Sequence, residues 1–274
     1  MKKFLFLFLT LNMITLPSLA EVDKTSADYL QGKKHIALMN PFAEKVAQRV
    51  IAKTLSKEVA KGKYKVKLVG YTLSSMKKGV FKNLEIETKN IEIEQIPVLY
   101  LSLKSLTDYN WVDFNEDPVK IKSDMEFVYN LELTEKSLNE ALKQKEYRKS
   151  LDDLNKRAYP LFAMDDVRVR IKHDKLHIIM DYSLPLASNK KKRSFMVSTG
   201  IAVNNGKIRA TNIGIDNAYG NLPIDKVTNL INLIDPLSFT LVRLNESNCN
   251  GQIENVKIED NIIKINGKIS VVRK

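Results

Sequence analysis

Strict alternation of apolar and polar residues along much of the chain predicts β-strands. One such run covers 125–133, and its apolar members are Met125, Phe127, Tyr129, Leu131 and Leu133. Residues 63–68 alternate in the same way with lysines on one face, and a third run contains Leu99, Leu101 and Leu103. A period of two places one face of a strand against a core and the other in water. The pattern therefore predicts amphipathic strands with one buried face each.

Two hairpins are predicted from the same alternation together with turn residues. Residues 167–172 alternate apolar with basic side chains, His173-Asp174 supplies a turn, and residues 176–184 return. Residues 195–203 and 208–215 form a second pair about Asn204-Asn205-Gly206. Short polar turns between alternating runs are typical of hairpins. Further strands are expected at residues 239–244, 256–258 and 263–271.

Helical spacing of apolar residues predicts a helix near each end of the chain. The first starts at Asn40-Pro41, an N-cap followed by proline in the first helical turn, and ends at Gly62. Its apolar stripe is Phe42, Val46, Val50, Ile51, Leu55 and Val59. The other follows Pro223, and its stripe is Ile224, Val227, Leu230, Ile231 and Ile234.

A further helical stretch lies in the middle of the chain. Thr134 is its expected N-cap, and Pro160 ends it. Its apolar stripe is Leu138, Ala141, Leu142, Leu151 and Leu154. The stretch is long enough that we expect a break near residues 145–149. Strands greatly outnumber helices, so the predicted fold class is α+β.

The first twenty residues resemble an export signal. Lys2 and Lys3 precede a short apolar run, and Ser18 and Ala20 place small residues at −3 and −1 of a cleavable bond. The alternative is an uncleaved anchor. A lipoprotein would need a cysteine just after the cleavage point, and the only cysteine is Cys249. We therefore expect a mature protein in the periplasm or extracytoplasmic envelope. A single cysteine also allows no internal disulfide.

This interpretation divides the chain into three parts. Residues 1–20 are the predicted signal peptide, residues 21–39 an N-terminal extension, and residues 40–274 a single α+β domain. The net charge is +12, and removal of Lys2 and Lys3 with the signal lowers it to +10. For an exported chain this favours an anionic membrane surface or polymer over nucleic acid as partner. A solvated, lysine-rich surface is the alternative.

The strongest local concentration of charge is a basic loop between two predicted strands. Its cations are Lys190, Lys191, Lys192 and Arg193. We expect this loop to dock on anionic headgroups, with Leu184, Leu186 and Phe195 touching the bilayer. A solubilising turn is the alternative interpretation.

The search for catalytic and metal-binding motifs is negative. His173 and His177 are four residues apart but fall in a hairpin, and a zinc site would need further ligands. A calcium-like run starting at Asp113 fails because Pro118 stands where the loop needs glycine. No nucleophile elbow or phosphate-binding glycine loop occurs. We therefore expect a non-enzymatic protein without metal or cofactor. A hydrolase with dispersed site residues is an alternative.

The order of the elements resembles the LmeA family of exported phospholipid-binding proteins, which are related in architecture to tubular lipid-binding domains. Residues 79–86 match its Gly-x-apolar-x-x-apolar-x-apolar unit. Residues 134–142 match its Thr-x-x-x-Leu-Asn-x-x-Leu helix, and residues 251–271 its final strand pair. The resemblance implies a long, curved antiparallel sheet wrapped around a few helices. It also implies binding of phospholipid in the cell envelope and no catalytic residues.

Together these features predict that an apolar groove binds phospholipid or a similar acyl-chain lipid and assists envelope lipid homeostasis or transport. The helix residues expected to line that groove are Phe42, Val46, Val50, Leu138, Leu142, Val227, Leu230 and Ile231. The pattern alone leaves open whether the interior is hollow or filled. With a filled core, the protein would be an envelope module that docks on anionic polymer or on a partner protein.

Overall fold

The computed structural model of the protein describes most of residues 61–271 and a few residues before them. The described residues are 45, 47–49, 51–52, 61–71, 75–76, 78–93, 95–113, 120–158, 163–186, 193–216 and 249–271. Residues 45, 47–49 and 51–52 are helical, as expected for the first helix. The helix predicted after Pro223 and the strand predicted at residues 239–244 lie outside the described residues.

Twelve strands and two further helices have defined bounds in these segments. The strands are β1 (Lys63–Gly70), β2 (Val80–Ile93), β3 (Ile96–Ser105), β4 (Asn110–Asp113), β5 (Lys120–Ile121), β6 (Met125–Thr134), β7 (Ala163–Lys172), β8 (Lys175–Ser183), β9 (Arg193–Asn204), β10 (Lys207–Asp216), β11 (Cys249–Glu259) and β12 (Ile262–Val271). The helices are α1 (Glu135–Leu142) and α2 (Lys145–Ala158). The α+β expectation is therefore confirmed, and most of the structure is antiparallel sheet.

The described strands form two sheets, and neither sheet closes on itself. The larger sheet has the order β11-β12-β6-β3-β2-β4-β5. The remaining strand, β1, pairs with the edge of β2 that lies opposite β3. The smaller sheet has the order β10-β9-β8-β7. All of these pairings are antiparallel.

Both predicted hairpins are confirmed, and a third closes the chain. In each, two residues link the strands, and both have positive φ, which is the signature of a type I′ turn. The pairs are His173 (51°) and Asp174 (55°), Asn205 (51°) and Gly206 (71°), and Asp260 (53°) and Asn261 (60°). Asparagine, aspartate and glycine tolerate this conformation best, so the turn residues fix these registers locally.

Burial follows the predicted alternation in β6 but not throughout β3. Every second residue of β6 is buried, from Met125 to Leu133. In β3 the expectation for Leu99 was wrong: Val98, Leu101 and Leu103 are buried and Leu99 is only half-buried. The phase changes because Asn90, in the paired strand β2, takes a left-handed conformation with φ of 54°. The register of β2 with β3 is the same on both sides of Asn90, so the face that meets the core changes in both strands together.

Helix α1 lies at the junction of the sheets, and α2 packs on β7 of the smaller sheet. Thr134 caps α1 as predicted: its hydroxyl accepts from the Ser137 backbone, and the Ser137 side chain accepts from the Thr134 backbone. The expected break falls at Lys143 and Gln144, just before the predicted position. Helix α1 contacts β3 and β6 of the larger sheet and β7 of the smaller one, so it lies between the two sheets.

Candidate functional site

Only two of the eight residues predicted to line a lipid groove are among the described residues. Leu138 and Leu142, on α1, have 0% and 2% of their surface exposed, and both belong to the protein's apolar core. The other six lie outside the described residues: Phe42, Val46, Val50, Val227, Leu230 and Ile231. The two leucines show that α1 packs against protein where the sheets meet.

Polar side chains of α1 bind the free edge of β7. The Asn139 side-chain amide donates to the Val169 carbonyl at 2.8 Å, and its oxygen accepts from the Val169 N–H at 2.9 Å. Glu135 accepts from the Ile171 N–H at 3.1 Å. Asn139 thus takes the place of a neighbouring strand, since an amide side chain offers the same donor and acceptor as a backbone unit. This covers an edge that would otherwise be open to intermolecular pairing.

Helix α2 repeats the arrangement at the other end of β7. Asn155 donates to the Met164 carbonyl at 2.8 Å and accepts from the Met164 N–H at 2.6 Å. The register of β7 against β8 shifts between Met164 and Asp166. The bulge adds one residue to β7. The backbone groups that face the free edge therefore belong to an even-numbered residue before the bulge and to odd-numbered residues after it.

A cleft of about 360 Å³ opens where α1 ends and α2 begins. The break at Lys143 and Gln144 interrupts the helical cover over β7 at this point. Leu142, Val167 and Val169 are the buried residues that line it. Its basic side chains are Lys143, Arg148, Arg168 and Arg170, and its acidic ones are Glu135 and Asp166. The lining therefore carries an excess of positive charge.

Ion pairs connect the cleft to the start of β9. Asp166 accepts from Arg148 at 3.1 Å and lies 3.7 Å from Arg168. Arg168 reaches Asp181 on β8 at 2.7 Å, and Asp181 accepts a short hydrogen bond from the Ser194 hydroxyl. These side chains are one-fifth to one-half exposed, so each pair contributes only about 0.2–1 kcal/mol. Their main effect is to hold the charges of the cleft in place.

The basic loop connects neighbouring ends of two strands. Tyr182 on β8 is opposite Arg193 on β9, and Lys190, Lys191 and Lys192 lie outside the described residues. Before the loop, Leu186 is 69% exposed, more than any other large apolar side chain described. In the sequence, Leu186 precedes Lys190, the first cation of the loop, by four positions.

The expectation that Phe195 touches the bilayer was wrong. Phe195 is 3% exposed, and its ring packs edge-on against Tyr182 with the ring centres 5.6 Å apart. Its alternation along β9 turns it to the core face, whereas Ser194 is exposed. Leu184 is half-buried against the core. Of the three apolar neighbours named for the loop, Leu186 is the one available to solvent.

The two histidines of the predicted hairpin lie in its turn and near the start of its second strand. His173 is in the turn before β8, and the Nε2 atom of His177 lies 3.2 Å from the Lys172 carbonyl oxygen. Asp152 and Asp153 are on α2, and Asp165 is exposed on β7. Across the described segments, histidine, cysteine and acidic side chains do not gather into a metal-binding group.

Comparison with protein families, with curated proteins and with solved structures gave no match to this chain. The described helices include none that is long and apolar enough to cross a membrane.

Sequence reasoning missed the cleft and most of the side chains that build it. Arg148, Asp166, Arg168 and Arg170 are spread over α2 and β7, and no spacing brings them together in the sequence. Asn139 is the exception, because it belongs to the Leu-Asn element of the helix motif in residues 134–142. The structure gives that asparagine a structural role on the edge of β7.

Proposed function

We propose that this protein is exported to the periplasm or extracytoplasmic envelope and binds phospholipid or a similar acyl-chain lipid there. It would act without catalysis, in envelope lipid homeostasis or transport, and would dock on anionic membranes through residues 184–193. The observation that carries the docking proposal is the 69% exposure of Leu186, which is separated by three residues from four consecutive cations in the sequence. The predicted export signal and the resemblance to the LmeA family support phospholipid as the ligand.

The two parts of the loop contribute different energies. A cation near an anionic headgroup gains about 1 kcal/mol, and salt screens it over about 8–10 Å. Burial of a leucine side chain gains about 1.5–3 kcal/mol and is insensitive to salt in this range. Together they give a reversible attachment, as suits a protein that moves lipid between surfaces.

The second candidate is an envelope module with a filled core that docks on anionic polymer or on a partner protein. It is favoured by one observation, the complete burial of Leu138 and Leu142 against protein. Solvent extraction of the purified mature protein, followed by lipid mass spectrometry, separates the two candidates. A co-purifying phospholipid at near-stoichiometric amount supports the first, and its absence from protein purified without detergent supports the second.

Vesicle sedimentation tests the docking surface. Changing Lys190, Lys191, Lys192 and Arg193 to Gln should weaken binding to anionic vesicles at low salt by tenfold or more, since four charges contribute up to about 4 kcal/mol. Leu186→Ser should weaken binding by about tenfold at any salt concentration. Neutral vesicles should not distinguish the Gln variant from wild type.

The same sheet supplies a matched control for charge. Four exposed cations lie at its opposite end, beside the turns of the two hairpins: Lys172, Lys175, Lys207 and Arg209. Changing these four to Gln removes the same charge from the same sheet and should leave much of the binding. Equal loss in both quadruple variants would mean that net charge, not the loop, attracts the protein, and would refute the docking proposal.

A further inference from the structure

One edge position of β7 is left without a helix side chain. The edge groups of Met164, Val169 and Ile171 bond to Asn155, Asn139 and Glu135. Alternate residues of a strand point their N–H and C=O groups to the same edge, so those of Val167 face the same way as those of Val169. No side chain of the described residues bonds to them, and Val167 lines the cleft at the helix break.

Three arginine side chains line the same cleft as this open backbone position. Arg170 is exposed and, among the residues that the structure describes, has no ion-pair partner. Arg148 and Arg168 are held by the shared carboxylate of Asp166, which their two guanidinium groups neutralise. The other acid of the cleft, Glu135, is already bonded to the Ile171 N–H. The available donors are therefore the Val167 N–H and the free edges of the guanidinium groups.

We propose that this cleft binds a phosphate group, which accepts from the Val167 N–H and pairs with Arg170 and Arg148. Phosphate suits the donors because its oxygens accept several hydrogen bonds at once, and planar guanidinium groups bind it through two parallel bonds. The group is either free phosphate or the phosphodiester of a lipid headgroup, since both present the same oxygens.

The volume of the cleft limits the ligand. At about 360 Å³ it lies at the small end of the range for ligand sites. It accommodates a phosphate with a glycerol-sized substituent and leaves no room for acyl chains, which would remain outside. The inference does not depend on the proposed lipid binding, because free phosphate satisfies the same donors.

Amide NMR of the mature protein tests the site at constant ionic strength. Two probes are titrated separately: inorganic phosphate, and short-chain phosphatidylglycerol below its micelle concentration. We expect the Val167 amide to shift saturably with at least one of them. Arg170→Gln should weaken that binding by about tenfold or more, as expected for loss of a hydrogen bond to a charged group. Arg209→Gln, an exposed arginine on β10, should not.

The pattern across the probes identifies the source of the group. Saturation by phosphatidylglycerol alone assigns the cleft to a headgroup, and saturation by inorganic phosphate alone assigns it to the free ion. No saturable shift of Val167 with either probe would overturn the proposal, and so would unchanged affinity in the Arg170→Gln variant. Failure of vesicle binding leaves this inference standing, because the loop at residues 184–193 is not part of the cleft.

Discussion

Replacing Asn139 with alanine tests whether a helix side chain stabilises the edge of β7. Asn139 is on α1, and its amide makes both edge hydrogen bonds to Val169 on β7, at 2.8 and 2.9 Å. It also donates to the Glu135 carbonyl one turn earlier, at 3.0 Å. The substitution removes all three bonds while leaving Leu138, which is buried beside it, unchanged.

The expected loss of stability depends on whether the N–H and C=O groups of Val169 find new partners after the substitution. A buried backbone group left without a partner costs about 1–3 kcal/mol. Val169 lines the cleft, so water can reach its backbone and the lower end applies, which gives about 2–3 kcal/mol for the pair. Alanine is the better helix former by about 0.6 kcal/mol, which offsets part of this. The net destabilisation should be about 1.5–2.5 kcal/mol.

Urea unfolding followed by circular dichroism measures this difference. The matched control is Asn130→Ala on β6, where the exposed amide donates to the Ser102 hydroxyl at 3.0 Å. That change should cost less than about 0.5 kcal/mol, as is usual on a surface. Hydrogen exchange should also become faster at the Val169 amide in the Asn139 variant. Equal unfolding free energies for the two variants would refute the edge-covering role of Asn139.

Three further changes have defined outcomes. Gly267→Ala should lower the free energy of unfolding in urea by about 1–3 kcal/mol or more. The added methyl would overlap the Gln252 carbonyl and lie 2.9 Å from the Tyr129 ring. Wild-type stability in this variant would contradict the packing. Burial, helped by the charge of Glu254, raises the pKa of Tyr129 to about 12. The neutral phenol therefore contributes stability that is complete below pH 10 and is lost as the pH rises toward 12, up to about 3 kcal/mol. Tyr129→Phe should flatten that decline in unfolding measured at pH 9 and 11.5, and an unchanged slope would show that Tyr129 is not its source. Replacing Ala20 with phenylalanine should leave the precursor uncut, because the signal peptidase accepts small side chains at −1 and −3. Mass spectrometry of the wild-type N-terminus checks the assignment of the signal. A mature chain starting at Met1 would overturn it.

The covered edge of β7 has a consequence for solubility. An open strand edge is a template for pairing with other chains. In the smaller sheet that edge is protected by side chains from two short helices, with Asn139 and Asn155 as the two amides. Their loss should therefore raise aggregation as well as lower stability. The arrangement shows why polar residues occur on the β7-facing side of helices that otherwise bury an apolar stripe.

The sequence by itself determined the local elements of this protein. Alternation identified the buried face of β6, and the turn residues His173-Asp174 and Asn205-Gly206 fixed both hairpins, because a type I′ turn accepts few residue types. Thr134 marked the start of α1, since its side chain caps the helix within three residues. All of these depend on interactions between residues close in the chain.

Only the tertiary structure decided which of these elements are neighbours. A period of two shows that a strand has a buried face, but it is the same whether that strand joins the larger sheet or the smaller one. The division into two sheets follows from packing over long sequence separations. The bonds from Asn139 to Val169 and the cleft at the helix break do too. Such contacts leave no local signal, because a side chain that bonds to a distant backbone has the same sequence context as one that faces water.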